Sequence, residues 1–291
     1  METSADKARD GGAGSARTLE NLLRNQILRG DYPSGAMLPT QRTLADLFGV
    51  SRDTVQRAQR QLIEDGWLES RQGSGTWVSA RLPLHDVPAS QESVTVHGQA
   101  LLGPMVQAAF TKPEVNLDAF SLTCESLASE IRTQAERIKK GRQAPPQRIQ
   151  VRLMLPSYDE PPLYPRATNP DDRRISDRWE TMARVHTDSV RRWLTDLSDK
   201  VPEVEVEVHH VPWTPQFKLY ILNETDVLFG LYEVHRYGIS VGEGPKVDSL
   251  DVLGLAATML HFRESRDPES RDSLMATSLK DWFESGWEHL R

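Results

Sequence analysis

The stretch Gly49-Val-Ser-Arg-Asp-Thr-Val-Gln-Arg-Ala-Gln-Arg-Gln-Leu-Ile-Glu-Asp-Gly66 decides how the first part of the chain folds, and it predicts a short helix. Ser51 is a good helix N-cap, because its hydroxyl can accept a hydrogen bond from a free amide of the first turn. Gly66 is a plausible end of the helix. The apolar residues between them recur at helical spacing and predict one buried face. These residues are Val55, Ala58, Leu62 and Ile63.

The polar residues of the predicted helix lie largely off this buried face. They are Arg52, Asp53, Gln56, Arg57 and Arg60. An arginine can bind O6 and N7 of guanine, and a glutamine can bind N6 and N7 of adenine, so such a helix suits the major groove of DNA. An arginine-rich helix face is more often merely solvated, so the interpretation depends on the flanking sequence.

The flanking sequence predicts the other parts of a winged helix-turn-helix. Thr18–Gly30 and Thr40–Phe48 predict two further helices, and Gly49 allows the sharp turn into the third helix. Trp67–Arg71 and Thr76–Ser79 predict two strands, which the Gln-Gly-Ser-Gly tip between them joins into a β-wing. The residues predicted to face inward from the first two helices are Leu19, Leu22, Leu23, Ile27, Leu44, Ala45 and Phe48.

Five motifs in this region resemble those of the winged helix of GntR-type bacterial transcription regulators, and they occur in order at the expected spacing. They read Arg29-Gly-Asp-Tyr-Pro-Ser-Gly, Leu38-Pro-Thr-Gln-Arg-Thr-Leu-Ala, Phe48-Gly-Val-Ser-Arg, Glu64-Asp-Gly-Trp-Leu and Gln72-Gly-Ser-Gly-Thr. The resemblance implies a homodimer that binds a palindromic double-stranded operator DNA. It leaves open whether the regulator is a repressor or an activator.

The same resemblance implies which residues bind DNA. Arg42 and Arg52 occupy positions at which family members contact DNA, Thr54 a position that holds a phosphate, and Gly73 the wing tip that enters the minor groove. Gln56 departs from the family, which often has arginine there, and it predicts an operator that differs at one position. The complete predicted set is Arg42, Ser51, Arg52, Asp53, Thr54, Gln56, Arg57, Gly73 and Ser74.

The composition predicts a globular protein with a basic head and an acidic remainder. The chain has 291 residues and a formal net charge of −7, yet basic residues slightly outnumber acidic ones from Arg17 to Ser79. Cys124 is the only cysteine, which excludes an intrachain disulfide and a cysteine-based metal cluster. No stretch has the length or apolar character of a membrane span or signal peptide. We therefore expect a cytoplasmic protein, nucleoid-associated when bound to its operator, with no cofactor, metal or membrane contact.

The predicted fold class is α+β, and four segments make up the chain. Residues 1–16 are expected to be a disordered arm, 17–80 the DNA-binding head, 81–98 a linker, and 99–291 an α/β sandwich that binds an effector and dimerises. The last segment contains four predicted helices and seven predicted strands. The helices are Gln99–Phe110, Leu122–Lys140, Ile175–Leu197 and Ser270–Leu290, and the strands are Val115–Ser121, Ile149–Leu155, Val204–Val208, Phe217–Leu222, Val227–Tyr232, His235–Val241 and Ala257–Phe262.

A second resemblance concerns the part of the chain after about residue 114. Phe217-Lys-Leu-Tyr-Ile-Leu-Asn-Glu-Thr-Asp-Val-Leu-Phe-Gly resembles the strand–turn–strand of phospholipase D-like sensor domains attached to helix-turn-helix regulators. At the spacing of the enzymatic motif His-x-Lys-x-x-x-x-Asp, this chain has Gln216, Lys218 and Asn223. The lysine is kept but the histidine and aspartate are absent. The resemblance therefore implies a degenerate site that binds a ligand at these three residues without hydrolysing it.

For several other residues and one loop, both a functional and a purely structural role are compatible with the sequence. Lys218 is either an anion-binding group or an ordinary strand residue. His209 and His210 look like a metal pair, but adjacent strand residues point to opposite faces. Trp179 and Trp193 are more typical of a helix core than of ligand stacking. The proline-rich loop Ser157–Asn169 is either an effector lid or a plain surface loop.

The leading hypothesis is a DNA-binding transcription regulator whose second domain senses an unknown small molecule. The rival from another class is a phosphodiesterase or nuclease with a DNA-targeting head, and the absence of the nucleophilic histidine counts against it. A third hypothesis gives the regulator a chorismate-lyase-like effector domain, whose expected motifs are not found in this sequence.

Overall fold

In the computed structural model of the protein, the chain divides into two compact units. Residues 1–90 belong to the first unit, here called the head, and residues 91–252 and 257–291 form the second, here called the body. The structure describes residues 16, 19–20, 22–24, 26–27, 32–48, 50–71, 75–79, 96–242, 244–252 and 258–290. Residues 1–15 of the predicted arm and residues 81–95 of the predicted linker lie outside them.

The head contains the helices and the hairpin that the sequence predicts. The first helix, α1, is described at residues 16, 19–20, 22–24 and 26–27. The other elements are α2 (Gln41–Phe48), α3 (Arg52–Glu64), β1 (Leu68–Arg71) and β2 (Gly75–Val78). Gly66 adopts the positive φ of +76° that ends a helix, as predicted, because a glycine has no Cβ to clash there.

The apolar faces of these elements form one core. The buried residues are Leu19, Leu23, Ile27, Leu38, Leu44, Ala45, Val55, Ala58, Leu62, Trp67, Leu68 and Val78. The prediction for Ile63 is wrong, because its side chain is 36% exposed. Successive residues of a helix are about 100° apart around its axis, so Ile63 falls beside the stripe that Leu62 occupies.

The body consists of helices and strands close to the predicted ones. Its helices are α4 (Gly98–Ala109), α5 (Glu125–Lys139), α6 (Arg174–Thr195) and α7 (Arg271–His289). Its strands are β3 (Val96–His97), β4 (Glu114–Phe120), β5 (Arg148–Pro156), β6 (Arg166–Ala167), β7 (Glu203–Val211), β8 (Phe217–Leu222), β9 (Asp226–Leu231), β10 (Val234–Ile239), β11 (Val247–Val252) and β12 (Thr258–Arg263).

A seven-stranded mixed sheet is the centre of the body. Its order is β3-β12-β9-β8-β4-β5-β7, in which β4, β5 and β7 run parallel and the remaining neighbours antiparallel. Apolar residues of α4, α5 and α6 pack on one face of this sheet, and those of α7 pack on the other. The predicted mixture of helices and strands is therefore confirmed, and the sheet lies between two helical layers.

Three strands of the body were not predicted. A second sheet has the order β10-β11-β6, and β6 lies within the predicted Ser157–Asn169 loop. The strand β11 carries the polar residues Ser249 and Asp251 on its buried side, so it lacks the apolar alternation that reveals a strand. β3 begins at Val96 and α4 at Gly98, so the predicted linker ends earlier than expected.

Candidate functional site

The start of α3 is fixed by two hydroxyl groups. Ser51 is the N-cap, and its Oγ accepts a hydrogen bond of 3.1 Å from the amide of Thr54. The two hydroxyls also lie 2.8 Å apart. Thr54 is only 5% exposed, so its hydroxyl belongs to this cap and not to the outer surface of the head. The pair fixes where α3 begins and therefore which of its side chains face outward.

The outward face of α3 carries the residues predicted to read bases. Arg52 and Gln56 are exposed and lie one helical turn apart. Asp53 and Arg57 are also exposed and also lie one turn apart. The carboxylate of Asp53 accepts a hydrogen bond from the guanidinium of Arg57. Arg52 and Gln56 thus form one polar row, and the Asp53–Arg57 ion pair forms a second row beside it.

The contact between α2 and α3 is polar as well as apolar. Gln41 donates a hydrogen bond of 3.0 Å from its Nε2 atom to Oε1 of the buried Gln59. The next residue, Arg42, is exposed at the first turn of α2. This contact joins the first turn of α2, where Arg42 is exposed, to α3.

An ion pair that the sequence did not reveal holds the other end of α3. The buried guanidinium of Arg24 on α1 donates to the carboxylate of Asp65, the C-cap residue of α3. Asp65 also accepts a hydrogen bond of 2.9 Å from Gln61. An arginine directly after the inward Leu23 is a weak signal, because most arginines at such positions are solvated.

The predicted β-wing is present, but its tip is not described. β1 and β2 pair antiparallel, with Leu68 opposite Val78 and Arg71 opposite Gly75. The backbone of Gly75 has a φ of +97°, which favours glycine where the hairpin turns back. Gly73 and Ser74, two of the predicted DNA-binding residues, lie outside the described residues.

In the body, the three predicted ligand residues do not come together. Gln216 lies just before β8, Lys218 lies within it, and Asn223 lies just after it. A strand rises about 3.3 Å per residue, so Gln216 and Asn223 are about 23 Å apart. The motif spacing therefore places these residues at the two ends of one strand and not around one ligand.

Lys218 lies inside the body. Its side chain is only 3% exposed and lies on the same side of β8 as Tyr220, whose ring belongs to the core beneath the α4–α6 layer. Burial lowers the pKa of Lys218 to about 8, and the nearby carboxylate of Glu125 opposes this shift. Lys218 is therefore a buried cation of the core, remote from the surface at which Gln216 is exposed.

Asn223 holds the turn between β8 and β9. Its Oδ1 atom accepts a hydrogen bond of 2.8 Å from the amide of Asn116, and its Nδ2 atom donates one of 3.3 Å to the carbonyl of Ala109. Its φ of +50° is typical of asparagine in a tight turn. These contacts show how Asn223 connects β8 to β4 and α4.

A cavity of about 660 Å³ lies at the opposite end of β8, beside Gln216. It is bounded by the loops that follow β5 and β7, by the ends of β4 and β8, and by α7. Its lining residues are Phe120, Glu160, Pro161, Leu163, Pro212, Trp213, Thr214, Gln216, Phe217 and Trp282. The cavity therefore lies against the Ser157–Asn169 loop that the sequence singles out, and we call it the loop pocket.

The remaining candidates have structural contacts. The ring of His209 stacks on that of Trp287 with 3.6 Å between centroids, whereas Nδ1 of His210 lies 3.1 Å from the carbonyl of Pro156. Trp179 is buried and donates a hydrogen bond of 3.1 Å to the carbonyl of Leu122. Within the described residues, no group of three or more potential metal ligands occurs. No helix in the same residues is long and apolar enough to span a membrane.

The family comparison concerns the head. Residues 15–78 match the model of the family described as bacterial regulatory proteins, gntR family. The mannosyl-D-glycerate transport/metabolism system repressor MngR of Escherichia coli strain K12 is 39% identical over 100 residues, which are 32% of this chain and 42% of MngR. The probable rhizopine catabolism regulatory protein MocR of Rhizobium meliloti is 44% identical over 81 residues, which are 28% of this chain and 16% of MocR.

The chain thus spans less than half the length of each of these two relatives. Among solved structures, Streptococcus agalactiae GntR is similar with a TM-score of 0.23 and 24% identity, over 43% of this chain and 63% of that protein. The resemblance of the body to phospholipase D-like sensor domains stays a prediction. The family model matches residues 15–78, which include α2, α3, β1 and β2. This part of the chain is therefore a helix-turn-helix domain of the gntR family of bacterial regulatory proteins.

Proposed function

We propose that this chain is a sequence-specific DNA-binding transcription regulator that acts as a cytoplasmic homodimer and senses a small molecule through its body. The outward face of α3 is the observation that supports this function best. Arg52 and Gln56 are exposed there, while the opposite face of the same helix is packed in the core. Both side chains can bind two atoms of a purine at once, which is how base edges are read in the major groove.

The proposed binding mode places α3 in the major groove, with Arg52 and Gln56 on base edges. Arg42 and Arg57 contact the phosphate backbone on either side, and Gly73 and Ser74 of the wing contact the minor groove. Ser51 and Thr54 act through the cap, because the buried hydroxyl of Thr54 fixes the start of the helix. In the free protein Arg57 is paired with Asp53, and we propose that its guanidinium contacts a phosphate when DNA binds.

Regulation is proposed to act through the spacing of two heads. A homodimer reads two half-sites separated by a fixed number of helical turns, so a ligand that changes the preferred spacing weakens DNA binding. A coupling of about 1–3 kcal/mol is typical of such effects and corresponds to roughly 5- to 150-fold in affinity. Size-exclusion chromatography with light scattering tests the homodimer directly, and a monomer at the concentrations that bind DNA would contradict it.

The experiment that tests the DNA-binding proposal begins with selection of sites from random double-stranded DNA by the full chain. Affinity for the selected site is then measured by fluorescence anisotropy for the wild type and for Arg52→Ala. Loss of a two-atom guanine contact costs about 1–3 kcal/mol, so we expect affinity to fall roughly 5- to 150-fold. Arg132→Ala removes an exposed arginine from α5 of the body and is the matched control. Equal affinities for wild type and Arg52→Ala would contradict the proposed role of α3.

We also propose that the body is not a phosphodiesterase. A phosphoryl-enzyme intermediate needs a nucleophile, and the amide nitrogen of Gln216 has a delocalised lone pair that cannot attack phosphorus. Lys218 is buried in the core whereas Gln216 is exposed, so Lys218 cannot contact a phosphate bound at Gln216. We expect no hydrolysis of bis(p-nitrophenyl) phosphate by the full chain. Hydrolysis that disappears in Lys218→Ala would establish the enzyme instead.

A further inference from the structure

We propose that the loop pocket is the ligand site of the body, and that it takes a flat apolar molecule that carries no negative charge. The inference rests on the proposed ligand-sensing role of the body and adds the location and chemical class of the ligand. The pocket lies where the parallel strands β4, β5 and β7 end. In open α/β sheets, ligands bind in the crevice outside the carboxyl ends of such strands.

Aromatic rings form the floor of the loop pocket. The ring of Trp282 on α7 lies 4.9 Å from the rings of both Phe120 and Phe217, measured between centroids. Trp213 lies 6.0 Å from Trp282 and is 38% exposed, and Leu163 at the rim is 69% exposed. Removing such large apolar side chains from water lowers the free energy, so covering them favours ligand binding. Flat rings offer stacking surfaces, so they favour a flat occupant.

Hydrogen bonds between the two loops hold the walls of the pocket. The amide of Leu163 donates to the hydroxyl of Thr214 over 2.7 Å, and the hydroxyl of Tyr164 donates to the carbonyl of Pro215 over 2.8 Å. Gly286 lets α7 approach the sheet, because a Cβ there would lie 3.2 Å from Sδ of Met154. The pocket is therefore formed before a ligand enters, which lowers the entropic cost of binding.

The charge of the lining decides which ligands are accepted. Glu160 is the acidic residue among the described residues that line the pocket, and they include no lysine, arginine or histidine. The faces of Trp and Phe rings attract cations and repel anions. Thr214 and Gln216 supply polar groups that can orient a ligand. A volume of about 660 Å³ is in the range of small-molecule sites, so the occupant is a small molecule.

The test uses three probes that share one ring system and differ in charge: indole, tryptamine and indole-3-acetate. At neutral pH these are uncharged, cationic and anionic. Binding to the full chain is measured by saturation-transfer NMR and isothermal calorimetry without DNA, so the result does not depend on the head. We expect indole and tryptamine to bind and indole-3-acetate to bind at least about tenfold more weakly.

Alanine variants of two exposed leucines test whether the probes bind in the loop pocket. Leu163→Ala shortens a rim residue, and we expect affinity for indole to fall about tenfold. Leu274→Ala is the matched control, because Leu274 is 51% exposed and does not line the pocket, and it should leave affinity unchanged. Glu160→Lys should reverse the preference and favour indole-3-acetate over tryptamine.

Three outcomes would overturn the proposal. The first is that neither indole nor tryptamine binds the full chain, and the second is that the anionic probe binds as well as the other two. The third is that both leucine variants bind like the wild type, which would place the probes elsewhere. A chain that binds DNA specifically but fails these tests would remain a regulator without this ligand site. A chain that passes them but binds no DNA would keep the ligand site and lose the proposed function.

Discussion

The cap of α3 allows a quantitative prediction for the variant Ser51→Ala. The change removes the acceptor of the Thr54 amide, and loss of an N-cap typically costs about 1 kcal/mol. It also removes the 2.8 Å partner of the Thr54 hydroxyl, which is buried, and leaving such a group without its partner costs about 1 kcal/mol more. We therefore expect α3 to lose about 2 kcal/mol in total, provided that these two costs add.

Amide hydrogen exchange of the full chain, read by mass spectrometry in peptides from α3, measures this loss locally. A change of about 2 kcal/mol corresponds to roughly 30-fold faster exchange of the protected amides. Ser129→Ala is the control, because Ser129 is exposed within α5 and does not cap a helix. Exchange in α3 should be unchanged in that variant.

A second substitution separates the two costs. Thr54→Val replaces the buried hydroxyl with a methyl group of similar shape, so in that background Ser51→Ala removes only the cap. The effect of Ser51→Ala should then shrink to about 1 kcal/mol, or roughly fivefold in exchange rate. An effect of Ser51→Ala below about threefold in the wild type, or an equal effect in both backgrounds, would refute the proposed pair of hydroxyls.

Three further predictions concern the operator and the body. Gln56→Arg should move the base preference at one position of the selected half-site from adenine toward guanine, and identical selected sites for both proteins would show that Gln56 touches no base. Burial opposes ionisation of Asp226, but hydrogen bonds from His261 and Arg263 outweigh it and lower its pKa to about 2. This carboxylate therefore stabilises the body above its unfolded pKa of about 4, and the contribution is lost as the pH falls through about 2. Asp226→Asn should lower the midpoint of urea unfolding at pH 7, with the difference from wild type shrinking between about pH 4 and pH 2; a constant difference would contradict it. Arg152→Leu should destabilise the body by about 3–5 kcal/mol in thermal unfolding, because it leaves the buried carboxylate of Asp118 without its cation, and a loss below about 1 kcal/mol would count against that role.

The head was predictable from the sequence because its decisive interactions are local. An N-cap such as Ser51 acts within three residues, and the apolar stripe of α3 repeats every three or four. These interactions need no knowledge of distant segments, so the bounds of α2 and α3 and most inward residues of the head are predicted correctly. Arg24 was not recognised, because its partner Asp65 is 41 residues away and only the packing of α1 against α3 brings them together.

The motif in the body predicts that Gln216, Lys218 and Asn223 lie together, but spacing along the chain does not show which way each side chain points or how far apart the residues lie. Gln216, Lys218 and Asn223 lie close in sequence, but the extended strand between them separates the first from the last. The alternation of side chains then turns Lys218 into the core. The motif predicted the strands β8 and β9 correctly, since hydrophobic alternation is a local property.

By itself, the sequence determined the helix-turn-helix head, the mixture of helices and strands in the body, and the residue types that face outward on α3. Only the tertiary structure decided that Leu163, Trp213 and Trp282 line one cavity. These residues belong to two loops and a helix that are up to 119 residues apart in the chain. They meet because the order of strands places the ends of β5 and β7 side by side, with α7 packed over the same edge of the sheet. Strand order depends on how distant apolar faces are buried together, and no local pattern of residues encodes it.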